Sequence, residues 1–182
     1  MNSVRLIYPA DEYSAGFLYI MQIEVIYLWN KIKPYLIAVV GTLLVGAAAS
    51  FATKGSMDIY GQLNQPPLAP PSSIFPIVWT ILYILMGIGA ALVYVKGDDV
   101  SRFGALKVYI TQLIFNFLWT IVFFNLRWFL FAFIWLIILW VLIIVMIVKF
   151  YRISPVAAYL QIPYLLWVTF AAYLNLMIYV LN

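Results

Sequence analysis

Tryptophan residues and side-chain amides recur together at helical spacing in three apolar segments of this sequence. Residues that follow one another at steps of three or four positions lie on one face of a helix. A flat indole ring can stack against a flat conjugated ligand, and an amide can hydrogen-bond to its polar groups. The three faces are Phe75, Trp79, Tyr83 and Met86; Gln112, Asn116, Trp119 and Phe123; and Tyr164, Trp167, Ala171 and Asn175.

The amides on these faces have two interpretations. An amide that faced lipid would lose its hydrogen bonds at a large cost in free energy, so Gln112, Asn116 and Asn175 are expected to face the protein interior. There they could hydrogen-bond to neighbouring helices, an interaction worth about 0.6 kcal/mol on average. They could instead orient a ligand in a mostly apolar cavity. One residue can do both, and the residues alone leave the two interpretations open.

The tryptophans need the same comparison. Tryptophan is common at membrane–water interfaces. An interfacial position, or packing against lipid, is enough to explain the presence of Trp29, Trp128, Trp135 and Trp140. Trp79 and Trp167 differ because each shares a helical face with polar residues, which favours a binding site.

Conventional catalytic chemistry is excluded by the residues that the chain lacks. It contains no cysteine and no histidine, which excludes disulfides, thiolate nucleophiles, zinc sites and histidine-ligated haem. Its acidic residues all lie outside the apolar segments, so a carboxylate pair or an intramembrane proton relay is not expected. We therefore predict neither a metal site nor a bound cofactor.

The elements that position these faces are membrane-spanning helices. Hydrophobic residues make up 67% of the chain, charged residues make up 9%, and mean hydropathy is +1.06. A soluble domain carries about 25% charged residues. Because a span needs about 20 apolar residues and must satisfy its own backbone, the sequence predicts an all-α bundle of five membrane helices in one domain. The spans are expected at residues 34–53, 74–95, 108–126, 128–148 and 154–181, with Pro163 kinking the last.

The basic residues predict the orientation of this bundle. Of the ten lysine and arginine residues, only Lys54 and Arg127 would lie on the side of the first loop. The excess on the other side places the N-terminus in the cytoplasm and the C-terminus and first loop outside. This distribution suits a bacterial cytoplasmic membrane. The net charge of +4 is scattered over several segments, which does not favour nucleic-acid binding.

The connection between the first two spans, residues 54–73, is the longest and the richest in proline. Proline fixes its own backbone and restricts the residue before it, so this loop should be stiff and extended. Long ordered loops in compact domains are often lids or binding elements. We expect Ser72 or Ser73 to cap the next helix, with Pro76 in its first turn. The prolines are Pro66, Pro67, Pro70 and Pro71.

Residues 1–33 are an N-terminal extension with three interpretations. The uncharged stretch at 13–23 is too short to span a membrane. The segment could be an interfacial helix, a disordered extension, or an upstream addition to a chain that starts at Met21.

Three blocks of residues occur in one order along the rest of the chain. The first is Pro67, Pro70, Pro71, Phe75, Val78, Trp79, Leu82 and Tyr83; the second is Gln112, Asn116 and Trp119; the third is Pro163, Tyr164, Trp167, Phe170, Ala171, Leu174 and Asn175. In these blocks the sequence resembles the translocator protein family, also called the tryptophan-rich sensory protein or mitochondrial benzodiazepine receptor family. The resemblance covers about residues 34–182 and is to a bacterial type of member.

The resemblance implies a function. Members of this family bind porphyrins and synthetic aromatic ligands in a cavity below the first loop, and Tyr60, Trp79, Asn116, Trp119, Trp167 and Ala171 match the pocket positions. With the residues of the loop and the three faces, the candidate ligand-binding set is Tyr60, Pro70, Pro71, Phe75, Trp79, Tyr83, Gln112, Asn116, Trp119, Trp167, Ala171 and Asn175.

Departures from the family pattern are concentrated in the loop. Ile59 replaces an aromatic residue, Gln65 replaces a lysine, and Leu68 and Ala69 replace an aromatic and polar pair. A less polar loop is expected to change ligand selectivity. The C-terminal sterol motif of animal members is absent, so a sterol is not expected as the native ligand.

The resemblance therefore implies a membrane receptor for tetrapyrroles such as protoporphyrin. It also implies one alternative, an enzyme that breaks down porphyrin with light and oxygen through Trp79 and Trp167. Another is a transporter of porphyrin or lipid, although no internal repeat is present. Small residues at Ala38, Thr42, Gly46 and Ser50 could allow close helix contact within the chain or form the face of a homodimer. The family usually dimerises through the third span, where Lys107 and Thr111 put the same interface in doubt here.

Overall fold

The computed structural model describes residues 10–56 and 61–182, and within them every regular element is a helix. The chain divides into two compact units, Met1–Pro34 and Tyr35–Asn182. The helices are α1 (Ala10–Thr53), α2 (Ile74–Lys96), α3 (Asp99–Thr120), α4 (Phe129–Ile153), α5 (Pro155–Tyr159) and α6 (Ile162–Leu181), with a π-helical turn at Ile121–Asn125. Among the described residues, five helical segments are long and apolar enough to cross a membrane. The predicted fold class is confirmed.

In the first unit the described residues are helical, and their apolar side chains Tyr27 and Trp29 are exposed. The ammonium group of Lys31 lies 5.0 Å from the centroid of the Tyr27 ring, a cation–π contact. The membrane position of this segment and the use of Met21 as a start both stay predictions.

In the second unit the core lies between α2, α3, α4 and α6. Met86, Leu139 and Tyr164 are fully buried there. Many isoleucine, leucine and valine side chains remain exposed on the outer faces of the same helices. Lipid tails are as apolar as these side chains, so this exposure is expected of a bundle in a bilayer.

The helices extend beyond the apolar runs that predicted them. α3 begins at Asp99 instead of residue 108, and so includes Arg102 and Lys107. Its N-terminus is capped by Asp98, whose carboxylate accepts hydrogen bonds from the backbone N–H groups of Val100 and Ser101, each at 3.1 Å. The Ser101 hydroxyl also donates to this carboxylate, and that bond lowers the pKa of Asp98. An apolar run marks the part of a helix that lies in lipid, whereas caps and hydrogen bonds decide where the helix ends.

The predicted serine cap of α2 is absent. Ser73 precedes α2, but its side chain makes no capping hydrogen bond and its backbone is helical, with φ −64° and ψ −21°. A capping serine normally has an extended backbone that turns its hydroxyl toward the helix. The expectation that a serine caps α2 was therefore wrong, whereas Pro76 lies in the first turn as predicted.

Proline divides the last span in two. α5 ends at Tyr159, and α6 begins at Ile162 with Pro163 in its first turn. A proline ring clashes with the carbonyl group four residues earlier, which here belongs to Tyr159. The predicted kink is thus a complete break between two helices.

Close contacts fix the part of α1 that belongs to the second unit. A Cβ atom at Gly87 would lie 2.6 Å from the Cα atom of Val39, so the glycine allows the two backbones to approach. Gly46 lies against the ring of Tyr83, and the hydroxyls of Thr42 and Tyr109 are hydrogen-bonded. These contacts favour the interpretation of the small residues on α1 as a contact within the chain.

Candidate functional site

A cavity of about 430 Å³ lies within the second unit, between α1, α2, α6 and the end of α3. This volume is within the range of small-molecule pockets, roughly 300–1,000 Å³. No charged side chain of the described residues lines it. Its walls are formed by Leu43, Gly46, Ala47, Ala49, Ser50, Thr53, Phe75, Pro76, Trp79, Thr80, Tyr83, Trp119, Thr120, Phe123, Phe124, Trp167, Ala171, Leu174, Asn175 and Ile178.

Aromatic rings form much of the wall and support one another. The ring centroids of Trp79 and Tyr83 are 5.5 Å apart. Trp167 is packed against the edge of Phe75 at 5.9 Å, with an angle of 69° between the rings. Trp119 is stacked on Phe123 at 5.4 Å. Rings held in this way present fixed flat surfaces to whatever occupies the cavity.

A chain of hydrogen bonds runs behind the wall and joins α2, α3 and α6. Tyr83 donates to Asn116 at 2.8 Å, and the Asn116 amide donates to Tyr164 at 3.2 Å. Tyr164 donates in turn to Gln112 at 2.8 Å, whose amide contacts the sulfur of Met86 at 3.8 Å. Gln112 and Asn116 have no exposed surface and are absent from the wall. Their position favours the interhelical interpretation of these two amides over ligand contact.

Asn175 lies in the wall, but both of its polar groups have partners. Its oxygen accepts a hydrogen bond from the indole N–H of Trp119 at 3.3 Å. Its amide N–H donates to the backbone carbonyl of Phe129 at 2.8 Å. Asn175 thus connects three helices and holds the Trp119 ring in place.

The threonine hydroxyls of the wall are also internally bonded, whereas the exposed Ser50 hydroxyl has no partner among the described residues. Thr53, Thr80 and Thr120 each donate to a backbone carbonyl of their own helix. The indole N–H of Trp167 differs from both, because it is buried and has no partner among the described residues. The wall is therefore nearly apolar in effect, and its one buried donor without a partner among the described residues is Trp167.

The proline-rich loop is attached to the end of α6. The hydroxyl of Tyr173 donates to the carbonyl of Pro67 at 3.0 Å. The backbone N–H of Asn64 donates to the side chain of Asn182 at 2.9 Å, and the Asn64 amide donates to the Leu181 carbonyl at 3.1 Å. The helices that flank this loop provide Thr53 and Phe75 to the wall. The loop therefore connects two sides of the cavity and is fastened to a third.

The structure brings most of the candidate residues to the cavity. Phe75, Trp79, Tyr83, Trp119, Trp167, Ala171 and Asn175 all line it. Pro70 and Pro71 do not line it, Gln112 and Asn116 lie behind the wall, and Tyr60 lies outside the described residues. Whether any of these residues binds a ligand stays a prediction.

Sequence reasoning missed the contribution of α1. Leu43, Gly46, Ala47, Ala49 and Thr53 form one side of the cavity. The signal was the run of small residues, which we interpreted only as a helix contact. Small side chains also leave volume unfilled. Here they both allow close helix contact and leave the volume of the cavity. No group of three or more potential metal-binding side chains occurs among the described residues.

Comparisons with known proteins agree with the geometry. Residues 37–181 match the TspO/MBR family. The chain is 37% identical over 142 residues to the tryptophan-rich protein TspO of Chlorobaculum tepidum, which covers 77% of this chain and 90% of that protein. It is 38% identical over 148 residues to the protein of the same name from Archaeoglobus fulgidus, covering 80% and 94%. The translocator protein of Ovis aries is 35% identical over 118 residues, covering 64% and 70%. This chain is a multi-pass integral membrane protein and belongs to the TspO/MBR family.

Proposed function

We propose that this protein binds flat, largely apolar aromatic molecules, tetrapyrroles of the protoporphyrin type among them, in the cavity between α1, α2, α3 and α6. The observation that carries the proposal is a wall in which Trp79 and Trp167 present fixed rings. Burial of apolar surface and stacking on indoles would supply the affinity. The charge distribution supports a cytoplasmic N-terminus, with the proline-rich loop covering the cavity from the outer side.

A titration with protoporphyrin in the dark tests this proposal. The protein would be held in nanodiscs, and the porphyrin absorbance band would be followed against nanodiscs without protein. We expect saturable binding that Trp79→Phe with Trp167→Phe weakens about tenfold, because two stacking contacts are reduced. Trp29→Phe with Trp128→Phe is the matched control, since both of these indoles are exposed and outside the wall. Partition equal to that of empty nanodiscs would refute the proposal.

A second candidate function rests on the presence of both indoles in one wall. Bound porphyrin could be degraded by light with dioxygen as the oxidant, and the two tryptophans would take part as redox-active groups. No acid–base set is available for another mechanism in the described part of the wall. Illumination under air should bleach bound porphyrin faster than illumination under argon. An equal bleaching rate in the variant without Trp79 and Trp167, measured at saturation, would exclude this function.

A further inference from the structure

One buried polar group in the cavity wall has no partner among the described residues. The indole nitrogen of Trp167 is shielded from solvent, yet its N–H meets no acceptor among the described residues. Buried donors in folded proteins are nearly always paired, so an exception needs an explanation. A group that pairs only when a ligand is bound is one such explanation.

Three other indoles of the second unit have acceptors, whereas the half-buried Trp79 and the exposed Trp128 have none among the described residues. Trp119 donates to Asn175 at 3.3 Å, Trp135 donates to the Phe115 carbonyl at 2.9 Å, and Trp140 donates to Thr169 at 2.9 Å. Trp135 and Trp140 lie outside the cavity, whereas Trp119 and Trp167 both line it. Among the described residues, Trp167 is the indole whose N–H is both buried and unpaired, and it lines a cavity in which a ligand could supply the acceptor.

The rest of the wall limits what that acceptor can be. The threonine hydroxyls, Tyr83 and Asn175 already have protein partners. No described residue of the wall carries a charge. A carboxylate buried beside Trp167 would have no counter-charge, which is very costly, so the propionates of a protoporphyrin must stay outside the apolar wall and only a neutral group can reach this N–H. A neutral oxygen acceptor avoids that cost and still pairs with an indole donor.

We propose that Trp167 selects ligands that carry a neutral carbonyl oxygen, as in a ketone, ester or amide, over ligands of the same shape that lack it. This inference rests on the proposed binding function, because it concerns the same cavity. Trp167 acts here as a specificity-determining residue through its N–H, in addition to any stacking by its ring.

A matched pair of rigid aromatic molecules separates the N–H from the ring. Fluorenone and fluorene share one flat skeleton and differ in a carbonyl group. Dissociation constants would be measured for both in nanodiscs, each corrected for partition into empty nanodiscs. We expect fluorenone to bind about tenfold more tightly than fluorene, as one net hydrogen bond allows. The carbonyl stretch of bound fluorenone should also shift to lower wavenumber.

Two variants locate the donor. Trp167→Phe should reduce the fluorenone preference to about one and abolish the infrared shift. Trp140→Phe removes an indole of equal size outside the wall, whose N–H is already paired with Thr169, so the preference should remain. If Trp167→Phe does not fold, benzothienylalanine at position 167 keeps the shape of the indole and replaces only the N–H.

The outcomes distinguish this inference from the function on which it rests. Saturable binding of both molecules with no preference in the unmodified protein overturns the role of Trp167 and leaves the binding function intact. A preference that survives in Trp167→Phe also overturns it, since another donor is then responsible. Absence of saturable binding for either molecule overturns both proposals.

Discussion

Helices α1 and α4 each have a face, with residues at steps of three or four positions, that packs against the other helices of the second unit. The side chains on the two faces differ in size. On α4 the inward residues are Leu136, Leu139, Ile143, Met146 and Phe150, which are almost completely buried. On α1 they are Ala38, Thr42, Gly46, Ala49 and Thr53. The large residues fill the space between α4 and its neighbours. The small residues leave part of the space beside α1 unfilled, and this space is the cavity.

An inward helical face can stabilise the bundle or leave space for a ligand, and the two helices differ in which of these they do. Packing at high density stabilises the bundle through many small dispersion contacts. A face of small residues gives up those contacts and keeps space for a ligand. Close approach at Gly87 and the hydrogen bond between Thr42 and Tyr109 hold α1 in place without filling that space. Stability should therefore depend on α4, and ligand affinity on α1.

The largest effect is expected from truncation on α4. Leu139 has no exposed surface, and Leu139→Ala would leave an unfilled space that costs about 2–5 kcal/mol of unfolding free energy. Unfolding in SDS, followed by circular dichroism, would measure the change. Leu43→Ala is the control, because this leucine borders a space that is already open, and it should cost clearly less. Equal losses in the two variants would contradict the difference between the faces.

Loss of the buried hydrogen-bond chain is expected to have the next largest effect. Asn116→Leu removes the partner of both Tyr83 and Tyr164. Leaving these hydroxyls without their bonds should cost about 1–3 kcal/mol of unfolding free energy. Because Asn116 lies behind the wall, the affinity for protoporphyrin should change little at temperatures where the variant is folded. A tenfold loss of affinity with unchanged stability would mean that Asn116 contacts the ligand directly.

A larger side chain on α1 that fills the cavity tests whether ligand affinity depends on the small residues of α1. Ala47 and the adjacent Ala48 are both exposed, but only Ala47 lines the cavity. Ala47→Phe should weaken protoporphyrin binding at least about tenfold, equal to about 1.4 kcal/mol, because the added ring occupies ligand space. Unfolding free energy should change by less than that. Ala48→Phe should leave the affinity unchanged, and a similar loss in both variants would exclude occupation of the cavity as the cause.

The sequence predicted the parts of this arrangement that follow from periodicity and polarity. The three faces with Trp79, Trp119 and Trp167 could be recognised because a helix places such residues together. All three line the cavity. The inward position of Gln112 and Asn116 could also be predicted, since lipid offers no hydrogen bonds.

Other features could not be derived from local patterns. Whether Asn116 hydrogen-bonds to a ligand or to Tyr83 depends on distances between helices. The spacing of residues within one segment does not determine those distances. The volume beside Gly46 and Ala47 depends on how closely α1 approaches α2, and that distance is set by Gly87 and Val39. In both cases the missing information was a contact between distant residues.

The smallest effect is expected at the attachment of the loop, which joins the α1 side of the cavity to α6. Tyr173→Phe removes the hydroxyl that donates to the Pro67 carbonyl at 3.0 Å. The bond is exposed, so its loss should cost about 0.5–1 kcal/mol, equal to about a two- to fivefold change in rate if the loop must detach for a ligand to leave. Stopped-flow displacement of bound protoporphyrin would measure the dissociation rate. Tyr179→Phe is the control on the same helix, because Tyr179 is exposed and its hydroxyl has no partner among the described residues. An unchanged rate in Tyr173→Phe would mean that ligands leave without detachment of the loop, and the opening would then have to lie beside the small residues of α1.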